Sequence, residues 1–250
     1  MAWHNVFIMI NCIGQFIMIN CRSCKDWSDM TFSILARDPV SGAIGGAAAT
    51  GSLCVGGWVL RGNVSAGMSA SQGAAPSTIW GEEVLTAMHN GACAADAVEQ
   101  ISAADDGRAY RQLTALDLFG QTGEFTGASN EPEKGSLTFH HGVVAGNLLA
   151  STNVLDAMVD RFAETEGGLS DKLLASLRAA TQMGGDSRGL LSAALLVLHP
   201  DKPPLSLRID YDTDNPIAAL EYLYGKATTG AYSRWTEQVP TPNDRERILD

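Results

Sequence analysis

The sequence predicts an α+β domain built in layers, and three observations lead there. Strand-like and helix-like stretches come in runs, in the order strands, two helices, strands, two helices, strands, helix. That order departs from the strict strand–helix alternation of a doubly wound parallel sheet and points to antiparallel sheets with segregated helices. The opening strands are dense in Ala and Gly, which lets a second layer approach closely. Of the 250 residues 45% are hydrophobic and 18% charged, with 26 glycines, a globular composition rich in small residues. Two antiparallel sheets stacked between helical layers satisfy this order.

Thr31–Arg37 reads as the first strand, Asp38-Pro-Val-Ser-Gly42 has turn chemistry, and Ala43–Thr50 completes a hairpin. Trp58–Ser71 continues in strand-like fashion through Val59, Leu60, Val64 and Met68. The period then changes: Ile79, Val84, Leu85 and Met88 suit a helix over Ser77–Asn90, with Gly91 placed to end it. Ala94–Ala103 forms a second helix, and Gln112–Asp117 and Glu124–Gly127 form strands around Gly120 and Gly123. Leu137–Ala145 is one further strand, and Asn153–Glu164 and Ser170–Met183 are helices separated by Gly167-Gly168. Leu191–His199 and Leu205–Tyr211 make a last strand pair joined by Pro203-Pro204, and Asn215–Tyr224 is the last helix. The domain is expected to span 30–225, with 226–250 a loose polar tail.

Residues 1–29 read differently. Phe7-Ile-Met-Ile-Asn-Cys12 recurs verbatim as Phe16-Ile-Met-Ile-Asn-Cys21, a spacing of nine that fits neither strand nor heptad. The apolar run from Val6 to Ile19 is shorter than the roughly 20 residues a membrane helix needs. Its start, Met-Ala-Trp-His-Asn, is not basic, and the Cys-Arg-Ser-Cys after it is no small-x-small cleavage site. A verbatim repeat suggests a direct repeat in the nucleic acid, so 1–29 is expected to be translated upstream sequence and Met30 the natural start. A targeting segment and a propeptide are the alternatives. The expected location is the cytoplasm; a secreted or periplasmic form whose leader is removed is a weaker reading.

The net charge of −11, without a Lys or Arg cluster, argues against nucleic-acid and anionic-membrane partners. Cys54 and Cys93 sit in small or apolar contexts and read as buried side chains, while Cys21-x-x-Cys24 lacks the second pair a metal knuckle needs. His140 and His141, adjacent in an expected strand, would point to opposite faces and not share a metal. Asp210-Tyr-Asp-Thr-Asp-Asn-Pro imitates a calcium loop but has Asn215 at the sixth position, where Gly is required, and follows a strand; a helix N-cap before Pro216 is the better reading. No metal and no cofactor are expected.

Thr31 is the residue on which function turns. In a chain beginning there, one residue carries both a hydroxyl nucleophile and a free α-amine with a pKa of about 8, neutral often enough to act as base. Preceded by Met30, it is an ordinary strand threonine. Gly146-Asn147 joins an apolar strand to a helix: a tight turn, or donors for an oxyanion. Gln72, at the end of a strand, is an ordinary solvated residue or a polar neighbour of the first strand. In Gly184-Gly-Asp-Ser-Arg-Gly189 the glycines terminate a helix; Asp186 could meet an ammonium or amide and Arg188 a carboxylate. It is no phosphate-binding loop, since Gly-Lys-Ser/Thr is missing.

Met30-Thr-Phe-Ser-Ile-Leu-Ala-Arg-Asp-Pro, Val144-Ala-Gly-Asn-Leu-Leu149, and Gly184-Gly-Asp-Ser-Arg-Gly189 followed by Ser192-Ala-Ala-Leu-Leu-Val197 together resemble the family called domain of unknown function 1028, over about Met30 to Tyr224. Members look like N-terminal nucleophile (Ntn) hydrolases. The resemblance implies an αββα sandwich of four layers and a mature chain that begins at Thr31. It further implies Thr31, Gly146 and Asn147 as catalytic candidates, and Gln72, Asp186 and Arg188 as candidates for binding substrate. The segment before Met30 is foreign to the pattern, and Leu191 stands where a polar residue, often Gln, is expected. The implied activity is an amidohydrolase that cleaves a small amide, imide or peptide-like C–N bond; the alternative is a binding or scaffold protein that keeps the fold. The expected partner is a small-molecule amide, and small-residue strands and an acidic surface are compatible with a homodimer.

Overall fold

The hairpin that opens the domain follows from its turn chemistry. In the computed structural model, which describes residues 8–10, 16–18, 30–130, 133–184 and 189–249, a short antiparallel pair, β1 (Ile8–Ile10) and β2 (Phe16–Met18), precedes the hairpin of β3 (Thr31–Arg37) and β4 (Ile44–Thr50). Asp38 builds the turn: its carboxylate accepts from the Val40 N–H at 3.0 Å and the Ser41 hydroxyl at 2.5 Å, and Gly42 takes a left-handed φ of 78°. The strand-like stretch that follows divides into a one-turn helix, α1 (Val55–Trp58), and a second hairpin, β5 (Leu60–Asn63) and β6 (Gly67–Gln72).

Helix α2 (Thr78–His89) starts at Ser77, whose side chain accepts from the Trp80 N–H, and ends before Gly91 at a φ of 101°. Helix α3 (Ala94–Ala103) leads through a 3-10 turn at Arg108–Tyr110 to the pair β7 (Gln112–Asp117) and β8 (Thr122–Thr126). The single strand expected over Leu137–Ala145 is a hairpin, β9 (Gly135–Phe139) and β10 (Gly142–Asn147). His140 and His141 form its turn, with His141 at a φ of 62° and the two rings 3.9 Å apart, so they do not alternate across a strand.

Helices α4 (Asn153–Glu164) and α5 (Leu169–Gln182) come next, then β11 (Ser192–His199) and β12 (Lys202–Ile209). Pro203 and Pro204 lie inside β12 rather than in a connection, which is tolerated because β12 is an edge strand. The pairing of β11 with β12 shifts register between Val197 and His199, opposite the prolines, where an inward-facing proline has no N–H to give. Helix α6 (Pro216–Ala227) is capped by the Asn215 side chain, which accepts from the Ala218 N–H at 3.0 Å. The segment read as a loose tail carries α7 (Gly230–Thr236) and folds back: the Asn243 side chain donates to Asp201 at 2.8 Å, and Thr241 is buried. Among the described residues no helix is long and apolar enough to cross a membrane.

The result is a mixed α+β fold, with two main antiparallel sheets and seven α-helices among the described residues. The six-stranded sheet has the order β12-β11-β4-β3-β10-β9 and the four-stranded sheet β5-β6-β7-β8. Strand alternation sorts the core. Phe32, Ile34 and Ala36 point from β3 into a cluster with Leu155, Leu173, Leu177 and Leu220 of the helices, while Leu35 points into a second cluster with Leu60, Met68 and Leu116 of the other sheet. A third cluster joins Trp80, Val84 and Val98 of α2 and α3 to Leu113 and Ala115. Small residues permit close approach of the layers: a Cβ at Gly45 would lie 3.0 Å from the Leu173 side chain of α5.

The turn at Asp38 yields a pH prediction. The Ser41 hydroxyl, helped by the Val40 and Ser41 N–H groups and opposed by burial, holds the Asp38 carboxyl below its ordinary 3.8. A lowered folded-state pKa contributes stability that is present above the ordinary value and lost as pH falls through the folded one. Asp38→Asn is therefore expected to lower the urea midpoint at neutral pH and to match the parent once both are measured well below 3.8. Equal midpoints at neutral pH would contradict this account.

Candidate functional site

Six polar residues share one end of the interface between the sheets, and each is the first or last residue of its strand. In the six-stranded sheet, Thr31 opens β3 and stands in register with Thr50, which closes β4, and with Asn147, which closes β10; Thr50 stands opposite Ser192, which opens β11. By alternation all four share the face of Leu35, Ala48, Val143 and Ala194, which looks toward the other sheet. There Gln72 closes β6 opposite Gln112, which opens β7. Antiparallel pairing brings these termini to one end. All six are buried, with exposures of 7% for Thr31, 3% for Thr50, 1% for Asn147 and Gln72, and 0% for Ser192 and Gln112.

The two glutamines tie the sheets together. Gln72 Nε2 donates to Gln112 Oε1 at 2.7 Å and to the Thr31 carbonyl at 3.3 Å, and Gln72 Oε1 accepts from the Ser33 hydroxyl at 2.8 Å. Gln112 Nε2 faces Thr126 Oγ1 at 2.8 Å, the Gly135 carbonyl at 2.9 Å and the Gly146 carbonyl at 3.1 Å. Two carbonyls on that side fix it as the donor end, so Oε1 is the end that accepts. Asn147 Nδ2 donates to the same Oε1 at 3.4 Å, which leaves Asn147 Oδ1, buried and without a hydrogen-bond partner among the described residues, as the atom it offers.

The hydroxyl row is equally directed. Thr50 Oγ1 lies 3.1 Å from Thr31 Oγ1, donates to the Met30 carbonyl at 2.6 Å and accepts from the Ser52 N–H at 3.3 Å. While Met30 is attached its carbonyl takes the one proton of Thr50, which can then only accept from Thr31. Ser192 Oγ donates to the Ser52 carbonyl at 2.8 Å and accepts from the Val55 N–H at 3.1 Å, fixing the loop between β4 and α1. Two non-glycine residues with left-handed backbone flank the row: Cys54 at a φ of 60° in that loop, and Leu148 at 56° just after Asn147. Such conformations cost energy and gather where the surrounding structure fixes a site.

The structure thus brings four of the residues singled out from the sequence to one place: Thr31, Gln72, Gly146 and Asn147. Gln72 is a buried link to the first strand, not a solvated side chain. Gly146 lies within β10 rather than in a turn; a Cβ there would meet the Leu149 side chain at 2.7 Å, so its lack of a side chain is needed for packing. Asp186 and Arg188 lie outside the described residues. Cys54 and Cys93 are free thiols, half-buried rather than buried, and Cys93 caps α3. Among the described residues no cluster of His, Cys, Asp and Glu is arranged to hold a metal ion. A cleft of about 630 Å³ lined by Asp38, Leu169, His199, Pro204, Tyr224 and Tyr232 opens by the far end of β3, away from the row, and burial beside Asp171 pushes the Tyr224 phenol up.

Ser33, Thr50, Gln112 and Ser192 belong to the constellation but were not singled out from the sequence. Their shared signal is a polar residue at or near the end of a strand whose interior is apolar.

A mixed α+β fold with a buried, uncharged polar row between two antiparallel sheets is the class these residues define. The chain belongs to the family of unknown function DUF1028, whose pattern matches residues 31–220. It is similar to the crystal structure of protein SPO2555 from Silicibacter pomeroyi, described as a DUF1028 protein, at 60% identity and a TM-score of 0.86, over 88% of this chain and 96% of that one. No curated protein matches.

Gln112→Leu keeps the volume and removes the hub. Gln72 Nε2, Asn147 Nδ2 and two backbone carbonyls then lose a partner, each loss costing about 1–3 kcal/mol when unrelieved. A drop in unfolding free energy of about 2–4 kcal/mol at unchanged urea slope is expected, and a change under about 0.5 kcal/mol would show that the hub is dispensable.

Proposed function

We propose that this protein is an Ntn-type amidohydrolase on a four-layer αββα sandwich, acting in the cytoplasm on a small amide, imide or peptide-like C–N bond. The observation that carries the reading is the placement of Thr31: its hydroxyl lies 3.1 Å from Thr50 Oγ1 in a buried row of uncharged polar side chains at one end of the two sheets. In a chain that begins at Thr31, the α-amine sits on the same residue and takes that proton as the hydroxyl attacks the acyl carbon. The acyl group passes to Thr31 Oγ, the amine product leaves with the proton, and water hydrolyses the ester. The family match that begins at residue 31 supports this boundary. The amine must be neutral to act, so turnover falls as pH drops below about 8.

A second reading has its own observation. While Met30 is attached, the Thr31 nitrogen is an amide with no basic lone pair, and Met30 itself is buried at 1% exposure. In that state the protein is a binding or scaffold protein.

Mass spectrometry of the protein made from its native locus separates the two. A first residue of Thr31, with turnover of an amide library that Thr31→Ala abolishes without shifting the melting temperature, is the expected result. A stable species that retains Met1–Asp29, or equal activity in Thr31→Ala, would reject the enzyme.

A further inference from the structure

The Met30 carbonyl is held by two donors whose geometry has a use beyond holding a strand end. Its oxygen accepts from the Thr50 hydroxyl at 2.6 Å and from the Gly51 N–H at 3.2 Å. This oxygen belongs to the acyl group attached to the Thr31 nitrogen, so the donors mark where an acyl oxygen rests beside Thr31. Thr50 reaches both places at once, since its Oγ1 is also 3.1 Å from Thr31 Oγ1. The Thr50 proton is aimed rather than free: the Ser52 N–H and the Thr31 hydroxyl fill the acceptor side of its oxygen. Gly51 is presented by a loop that Ser192 fixes and that contains the left-handed Cys54. Donors set in advance in a buried site need little reorganisation as charge develops.

We infer that Thr50 Oγ–H and Gly51 N–H are the donors that stabilise the acyl oxyanion when Thr31 reacts, and that Asn147 does not serve this purpose. The inference rests on Thr31 being the nucleophile. The Thr31 oxygen bonds to the acyl carbon of a neutral amide, its proton passes to the α-amine, and the carbonyl π electrons move onto the oxygen held by Thr50 and Gly51. Collapse re-forms the carbonyl, breaks the C–N bond and returns the proton to the leaving amine. Both donors are uncharged, which suits a neutral carbonyl that becomes anionic only in transit. Asn147 faces the row with its acceptor Oδ1, which has no hydrogen-bond partner among the described residues, and its Nδ2 is engaged by Gln112. An acceptor there suits the N–H groups of the Thr31 amine, not an oxyanion.

The test uses the protein as matured in its native host and a small aliphatic β-lactone as probe. Thr31 Oγ attacks the lactone carbonyl, the ring C–O bond breaks, and the new hydroxyl takes the proton, so the protein gains one lactone mass at Thr31. The rate of that gain and its saturation with lactone give kinact and KI. Thr50→Val is expected to lower kinact about 100-fold, as loss of one oxyanion donor does, with KI unchanged; Thr50→Ser restores the rate. A merely structural role would move both constants and would not distinguish Ser from Val. If Thr50→Val does not fold, Thr50→Cys, a weak donor of similar size, carries the same expectation of a lower kinact. Unchanged kinact in Val or Cys, with Thr31 still acylated, overturns the assignment of Thr50 and leaves the nucleophile standing. Absence of acylation at Thr31 in the parent overturns both.

Discussion

The hydrogen bond from Gln72 to Gln112 is the constraint on which the candidate site depends. Between the sheets the interior is apolar, but at this end the strands stop, and strand ends leave backbone carbonyls without ladder partners. The carbonyls of Thr31, Gly135 and Gly146 lie at this end, and the two glutamine amides donate N–H groups to them. An apolar side chain at either position would fill the space and take those donors away. A charged one would need a counter-charge in a buried place. A neutral amide has both a donor and an acceptor end, so two in series hold one sheet against the other. The first residue of β3 is fixed as a consequence.

That fixing gives the hydroxyls their sense. A hydroxyl rotates freely unless its neighbours decide where its proton points. Thr50 has a decided direction because a carbonyl, a backbone N–H and a second hydroxyl surround it, and Thr31 inherits its own from Thr50. This sense holds while Met30 is attached, because the carbonyl that takes the Thr50 proton is that of Met30. Its cost lies in the backbone, at Cys54 and Leu148, where side chains that do not favour left-handed angles are held in them by the packing around the loops.

Much of this was legible in the sequence. The strand bounds of β3, the whole of α3 and of α4, and the cap before Pro216 follow from apolar period and capping chemistry. The one-turn helix α1 was not legible, because four residues with two glycines carry no periodic signal. The hairpin at His140-His141 was hidden because its turn lacks Gly, Asn or Asp and uses a left-handed histidine instead. Among site residues, Thr31 drew notice as a chain-start candidate and Gly146-Asn147 through a motif. Thr50, Gln112 and Ser192 did not, because their importance lies in register: which strand ends meet is a property of pairing across the sheet, and a local window does not contain it. Gln72 stood on the border, noticed for its place at a strand end and judged solvated for want of a visible partner.

The two prolines of β12 bear on how copies of this chain could meet. An exposed sheet edge is a template on which another strand can pair through its backbone. Pro203 and Pro204 sit at the register shift of β12, and neither has an N–H to offer to β11 or to a strand approaching the open edge. Continuous sheet formation across two molecules is therefore blocked on that flank, and self-association would have to use side-chain faces in place of backbone pairing there.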